Sequence, residues 1–345
     1  MTTASTFVYV SNQESRDILV LRLDSVTGDL TPVQKVLVKG AAMPMAVSPD
    51  HRYLYVALRS EPYVFASFAI DPASGKLNHL ADTAVPDSLP YISTDRSGRY
   101  LLGVSNPPSR VKPRNSVLYV CPIDARGVVQ PPRQVVSAQQ KAHAVLPAPS
   151  NRHVFYTSCD GDKLLCRPFD PATGTLADET VMHVKAGAGP RHFVFHPNSR
   201  FLYLLNELDG TLYTYAHDPA TGALNKLQTS EIVAPDPDGK SLRAADLHFT
   251  PDGRLLYASE RYSSTLAAFR VDPDSGMLTS LGNFATEKEP RGFNIDPLGC
   301  YLFAVGRLSD SMTTYAIDSD SGKLTELKKY PMGGGPNWIE VVALH

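Results

Sequence analysis

A phrase of the form Asp-x-x-x-Gly-x-Leu recurs along the chain. Its Asp falls at Asp24, Asp71, Asp124, Asp170, Asp218, Asp272 and Asp318, and its Gly at Gly28, Gly75, Gly127, Gly174, Gly222, Gly276 and Gly322; neighbouring copies lie 46 to 54 residues apart. The copy at Asp124 is one residue short and ends on Val129. A fixed period in this range marks an array of like units and outranks any local reading. Seven units of about four strands each predict an all-β closed ring of small antiparallel sheets, because closure leaves few exposed strand edges.

A second phrase accompanies the first: SPDHRYLYV from Ser48, STDRSGRYLL from Ser93, APSNRHVFY from Ala148, HPNSRFLYLL from His196, TPDGRLLYA from Thr250 and DPLGCYLFAV from Asp296. Each is a turn followed by residues that suit a pleated surface. One unit reads in full between Arg191 and Pro235: HFVF, FLYLLN, TLYTYAHD and LNKLQTSEI are successive strands, with a Gly-containing turn before the fourth. The chain begins inside a unit, at TFVYVSN, and ends on the apolar run Trp338 to Leu344, so the last strand is predicted to pair with the first unit and close the ring. The prolines of the insertion NPPSRVKPRN, within residues 106–115, exclude a strand interior and predict a surface loop. No linker divides the chain, and one domain over 1–345 is expected.

Composition narrows the function classes. A net charge of −2 supplies no basic field for nucleic acid or a membrane surface. No apolar run reaches the roughly 18 residues of a spanning helix, and the N-terminus lacks a basic segment followed by an apolar one. Four cysteines without a CxxC pair suit a reducing compartment. A cytoplasmic protein is expected, monomeric or weakly self-associating.

In an up-and-down sheet, alternate connections emerge on opposite faces. Six residues before the second position of each turn phrase stand Met43, Ser88, His143, Arg191, Ala245 and Arg291. Ten residues after it stand Arg59, Val104, Cys159, Glu207, Arg261 and Arg307, with Gln13 equivalent in the first unit. Both rings fall on one face, and His192, Asp246 and Glu260 adjoin their members. A single loop arginine is most simply a solvated charge, a strand-end histidine a cap, and Glu207 an ion-pair partner. The opposite face carries Arg52, Arg99, Arg152, Arg200 and Arg254 at one repeat position, as a structural role would. The axial charges instead vary between units, as a ligand site would.

Clustered guanidinium groups call for an anion, phosphate or carboxylate. A carboxylate and a histidine beside them offer acid–base chemistry, and an arginine aimed at a carbonyl stabilises an oxyanion. Other chemistries find no motif. GAGPRH (Gly187 to His192) lacks the GK[ST] of a phosphate loop, GGGP (Gly333 to Pro336) reads as a unit-to-unit loop, and no G-x-S-x-G is present. His192 and His196, four apart on a strand, sit about 13 Å apart, too far to share one metal. Cys159 reads as filler sooner than as a nucleophile.

The segments Val47 to Arg59, Gly187 to Asn198, Leu204 to Leu208, Ala244 to Arg261 and Glu289 to Gly299 resemble the seven-bladed β-propeller lactonase family, of the 6-phosphogluconolactonase type, which is related to fungal carboxymuconate cyclases. The resemblance runs nearly end to end. It implies a propeller of four-stranded blades and hydrolysis of a sugar lactone without metal or organic cofactor. In the cyclase relatives a His, an Arg and a Glu are assigned to the site, and the matching positions are His143, Arg191 and Glu207, the three that the repeat register also selects. In the stretch around the histidine, AHAVLPAPS from Ala142 to Ser150, apolar residues follow His143 where the family usually has polar ones.

The expectation is therefore an enzyme that opens an anionic sugar lactone, 6-phospho-D-glucono-1,5-lactone first. His143, Arg191 and Glu207 are its catalytic candidates; Arg59, His192, Asp246, Arg261, Arg291 and Arg307 are its substrate-binding candidates. A lactonase for glucaro- or galactarolactone, a carboxymuconate cycloisomerase and a non-enzymatic interaction propeller are the alternatives.

Overall fold

A computed structural model describes residues 5–107, 115–233 and 242–345. Seven antiparallel sheets, or blades, make up the structure, and no helix occurs among the described residues. The unit read from sequence alone matches closely: Pro190–Phe195, Phe201–Asn206, Thr211–His217 and Leu224–Glu231. The inner strands are Pro336–Leu344, Ala42–Val47, Tyr91–Thr94, Ala142–Pro147, Pro190–Phe195, Ala244–Phe249 and Pro290–Ile295. Each touches the next, and the last touches the first, so they surround one axis. The loop predicted at the Pro-rich insertion falls largely outside the described residues.

Closure follows the sequence expectation. Pro336–Leu344 pairs antiparallel with Ser5–Asn12, with Val8 opposite Val341, and completes a blade with Asp17–Leu23 and Leu30–Leu37. The hydrophobic core lies between blades: seven clusters of described residues each join two neighbours.

The repeated phrase has a packing cause. Its Asp caps the turn, as when Asp71 accepts from the Ser74 amide at 2.8 Å and hydroxyl at 2.7 Å. Its Gly has a positive φ, +68° at Gly75 and +81° at Gly127, which is costly for any residue with a Cβ. A Cβ there would also strike the preceding blade, lying 2.3 Å from Phe7 at Gly75 and 2.1 Å from Tyr53 at Gly127. The opposite-face arginines reach the same turns. Arg152 donates to Pro219 O at 3.2 Å, Arg200 to Asp274 O at 2.9 Å, and Arg254 lies 3.6 Å from Asp320.

One blade departs from the uniform pattern. After Lys163–Asp170 its outer strand is split into Thr175–Leu176 and Thr180–His183. Arg167 fills the break, donating to Ala177 O at 2.8 Å and to Glu179 at 2.7 Å.

Candidate active site

The inner strands are irregular at one end only. Register shifts, each one extra residue, interrupt Ala42/Met45, Ala142/Val145, Pro190/His192, Ala244/Leu247 and Pro290/Gly292, and one more skips Asn337. His143, Arg191, Ala245 and Arg291 fall within or beside these bulges. A bulge breaks strict in–out alternation and re-aims side chains. The second ring begins immediately after each second strand and is tied to the first. The amides of Arg59, Cys159, Glu207, Arg261 and Arg307 donate to Ala41, Lys141, Gly189, Arg243 and Glu289, each two residues before a first-ring position. Both rings thus share one mouth.

Glu207 is the electrostatic centre of that mouth. It accepts from Arg261 Nη2 at 2.6 Å and lies 3.6 Å from Arg191 Nε. Burial opposes its ionisation, but Arg191 and Arg261 prevail and hold its pKa at about 2. Asp162 braces the adjoining loop, accepting from the amides of Gly187 at 2.7 Å and Gly189 at 2.9 Å. Arg191 is almost wholly buried and donates Nη1 to Ala245 O. Burial, reinforced by Arg261, lowers its pKa to about 10. Cys159 Sγ stands 3.9 Å from Glu207; burial and that carboxylate push its thiol up to about 11, which makes it a poor nucleophile at neutral pH.

A cavity of about 360 Å³ in this mouth is lined by Gln13, Met43, Arg59, Ser88, Arg243, Glu289, Arg291 and Arg307; His143, Arg191, Glu207 and Arg261 are not among its lining residues. Glu289 accepts from Arg307 at 2.9 Å and lies 3.5 Å from Arg243. Arg59 bonds Ser88 Oγ at 2.7 Å, and neither it nor Arg291 has a carboxylate in salt-bridge range among the described residues. Burial lowers both pKa values, Arg59 to about 10; at Arg291 the charges of Arg191, Arg59 and Arg261 add to the effect. Glu207 offsets part of this at Arg291, but two guanidinium groups without a salt-bridged carboxylate lining one cavity are a ready anion site.

His143 is buried and neutral. Burial lowers its pKa well below the usual value, with Arg191, His192, Arg291 and Arg59 adding to the effect. In the packed interior near it, His192 Nδ1 lies 2.8 Å from Asp246 Oδ1, and His248 Nε2 lies 3.3 Å from Oδ2. The His192 ring packs on Tyr91, Trp338 and His143, with centroids 5.0, 6.0 and 5.2 Å away. His192 and Asp246 are therefore buried among inner-strand side chains and do not line the cavity. Arg261 and Arg307 are already engaged by Glu207 and Glu289. His196 bonds Gly253 O at 3.0 Å, away from the site. Among the described residues no group of three His, Cys, Asp or Glu side chains is arranged to hold a metal.

Sequence reasoning missed Arg243 and Glu289. Their repeat position, two residues before Ala245 and Arg291, was the available signal. It also missed the inner-strand residues Tyr91, Trp338, His248 and Glu340. Burial raises Glu340 to about 7, against the opposing effect of the Trp338 indole, which donates at 2.9 Å.

The fold and the mouth define a metabolic-enzyme type of propeller, with its polar site at the axis and a charge pattern suited to a small anion. The chain belongs to the family described as "Lactonase, 7-bladed beta-propeller", which matches residues 2–341. It is 40% identical to a 6-phosphogluconolactonase of Pectobacterium carotovorum over 98% of both chains. It is 37% identical to a protein of that name from Yersinia pestis over 97% of both. Its structure is similar to that of the Pseudomonas aeruginosa periplasmic gluconolactonase PpgL, with a TM-score of 0.90, 27% identity, and 99% and 100% of the two chains covered.

Proposed function

We propose that this protein hydrolyses an anionic sugar δ-lactone, 6-phospho-D-glucono-1,5-lactone, to the open aldonate. The observation that carries the reading is the pair of arginines without a salt-bridged carboxylate, Arg59 and Arg291, on a cavity close enough to His143 for both charges to act on it. The phosphate sits on Arg59 and Arg291. Neutral His143 accepts a proton from water as its oxygen attacks C1, and Arg191 stabilises the oxyanion that develops. Glu207 holds Arg191 and Arg261 in place, its carboxylate engaged by both guanidinium groups, and the proton is assigned to His143. Collapse of the tetrahedral adduct breaks the C1–ring oxygen bond, and His143 returns the proton to that oxygen. The 6-phosphogluconolactonase relatives support this substrate. Four unpaired cysteines and a sugar-phosphate substrate support a cytoplasmic location, and a monomer suffices because one chain supplies every group named.

The test follows lactone opening by NMR for 6-phosphogluconolactone, gluconolactone and glucarolactone, with spontaneous hydrolysis subtracted. Arg59→Met and Arg291→Met should each raise KM for the phosphorylated lactone about 10- to 100-fold, the worth of a lost charge-assisted contact. Gluconolactone should be little affected. Wild-type rates in both His143→Ala and Glu207→Gln would exclude the mechanism. A preference for glucarolactone would assign the arginine pair to a second carboxylate.

A further inference from the structure

Two buried ring nitrogens on neighbouring inner strands, His143 Nδ1 and His192 Nε2, lack partners, and their chemistry is complementary. Asp246 is held ionised: burial opposes this, but His248 and His192 outweigh it. A carboxylate only accepts, so His192 Nδ1, 2.8 Å away, carries a hydrogen. Burial, with the charge of Arg191, lowers His192 to about 4, so the ring is neutral near pH 7 and Nε2 is a bare lone pair. That Nε2 is enclosed and unpartnered. The ring of His143 is its neighbour, 5.2 Å between centroids and tilted by 56°. His143 Nδ1 is likewise enclosed and unpartnered.

An enclosed polar atom without a partner is costly. If His143 carries its hydrogen on Nδ1, a small turn of the ring donates it to His192 Nε2 and satisfies both atoms together. If the hydrogen sits on Nε2, two lone pairs oppose each other and both atoms stay unsatisfied. The bulges at Pro190/His192 and Ala244/Leu247 make the alignment possible, because they bring His192 toward the axis beside Arg191, and Asp246 beside Ala245.

We propose that Asp246 and His192 are positioning residues that set the tautomer of His143, leaving His143 Nε2 as the atom that takes the proton from water. Asp246 orients His192, and His192 holds the Nδ1–H of His143. The relay neither gains nor loses a proton during turnover. The proton from water enters at Nε2 and leaves from Nε2 to the ring oxygen, while the imidazolium in between keeps its Nδ1–H on His192. The inference rests on the reading of His143 as the base.

The histidine side-chain 15N spectrum of the intact protein at pH 7 tests it without reference to turnover. The expected signature is a protonated Nδ1 and an unprotonated Nε2 at both His143 and His192. In Asp246→Asn the His143 tautomers should become mixed. His192→Phe keeps a ring against Tyr91 and Trp338 but removes the acceptor; it should lower kcat about 10- to 100-fold and leave KM for 6-phosphogluconolactone within about twofold. A wild-type His143 protonated on Nε2 overturns the proposal. So does wild-type kcat in His192→Phe when His143→Ala is inactive. Full activity in His143→Ala would instead remove the functional reading, and the wild-type tautomer would still decide the relay. Should Asp246→Asn or His192→Phe fold poorly, the wild-type tautomer alone decides.

Discussion

Burial moves the pKa values of His143 and Glu340 in opposite directions, each toward the neutral form. Burial and nearby cations keep His143 unprotonated far below its usual range. Activity that needs the free base is therefore full at neutral pH and lost only as pH falls through the lowered value. The acid limb of kcat should lie well below pH 6.5, and Arg291→Met, which removes one of the depressing charges, should move it upward. Initial rates between pH 3 and 7 read both; a wild-type limb at 6.5 or above contradicts the assignment. Glu340 is raised from 4.5 to about 7. Its contribution to stability is full below pH 4.5 and is lost as pH climbs to 7, because the unfolded chain ionises first. Glu340→Gln should then gain on the order of 1–2 kcal/mol relative to wild type at pH 8, with little change at pH 4, since water screens part of the shift. Urea midpoints at the two pH values measure it.

At the scale of elements, the turn glycines carry two separable loads. Gly127 combines φ +81° with the Tyr53 ring, whereas Gly187 has φ +78° and open space. Gly187→Ala should cost about 1–2 kcal/mol through backbone strain alone. Gly127→Ala should cost about 3 kcal/mol, because overpacking adds to the strain. Equal midpoints for the two variants would mean that the Tyr53 contact contributes nothing. These turns were legible in the sequence because they recur with one chemistry. The bulges were not: an extra residue leaves no mark in an alternating apolar run. The split outer strand after Lys163–Asp170 was equally hidden, since it depends on where the Arg167 guanidinium finds Glu179.

For the whole molecule, the strand Pro336–Leu344 joins the chain's end to its start and carries the only tryptophan, Trp338, whose ring lies 5.1 Å from that of Tyr91 across the axis. Trp338 fluorescence therefore reports ring closure. If the blades unfold as one unit, its transition in urea coincides with that of far-ultraviolet circular dichroism; an earlier fluorescence change would show the ring opening first. Deleting residues 336–345 should abolish the cooperative transition, because it removes an inner strand and exposes the edge of Ser5–Asn12. A truncated chain with a wild-type midpoint would contradict closure by this pairing.

Period, strand pattern and closure were set by local sequence, because turn chemistry and apolar alternation act over a few residues and recur in every unit. The same register also brought His143, Arg191, Glu207 and the arginines to one face. The tertiary structure alone decided which charges cancel. Glu207 engages Arg191 and Arg261, Glu289 engages Arg307 and Arg243, Asp246 holds His192, and Arg59 and Arg291 are left over. Three of those pairings, Glu207 with Arg261, Glu289 with Arg243 and Asp246 with His192, cross between blades, and the strength of a charge contact depends on separation and burial, neither of which a linear order of residues contains.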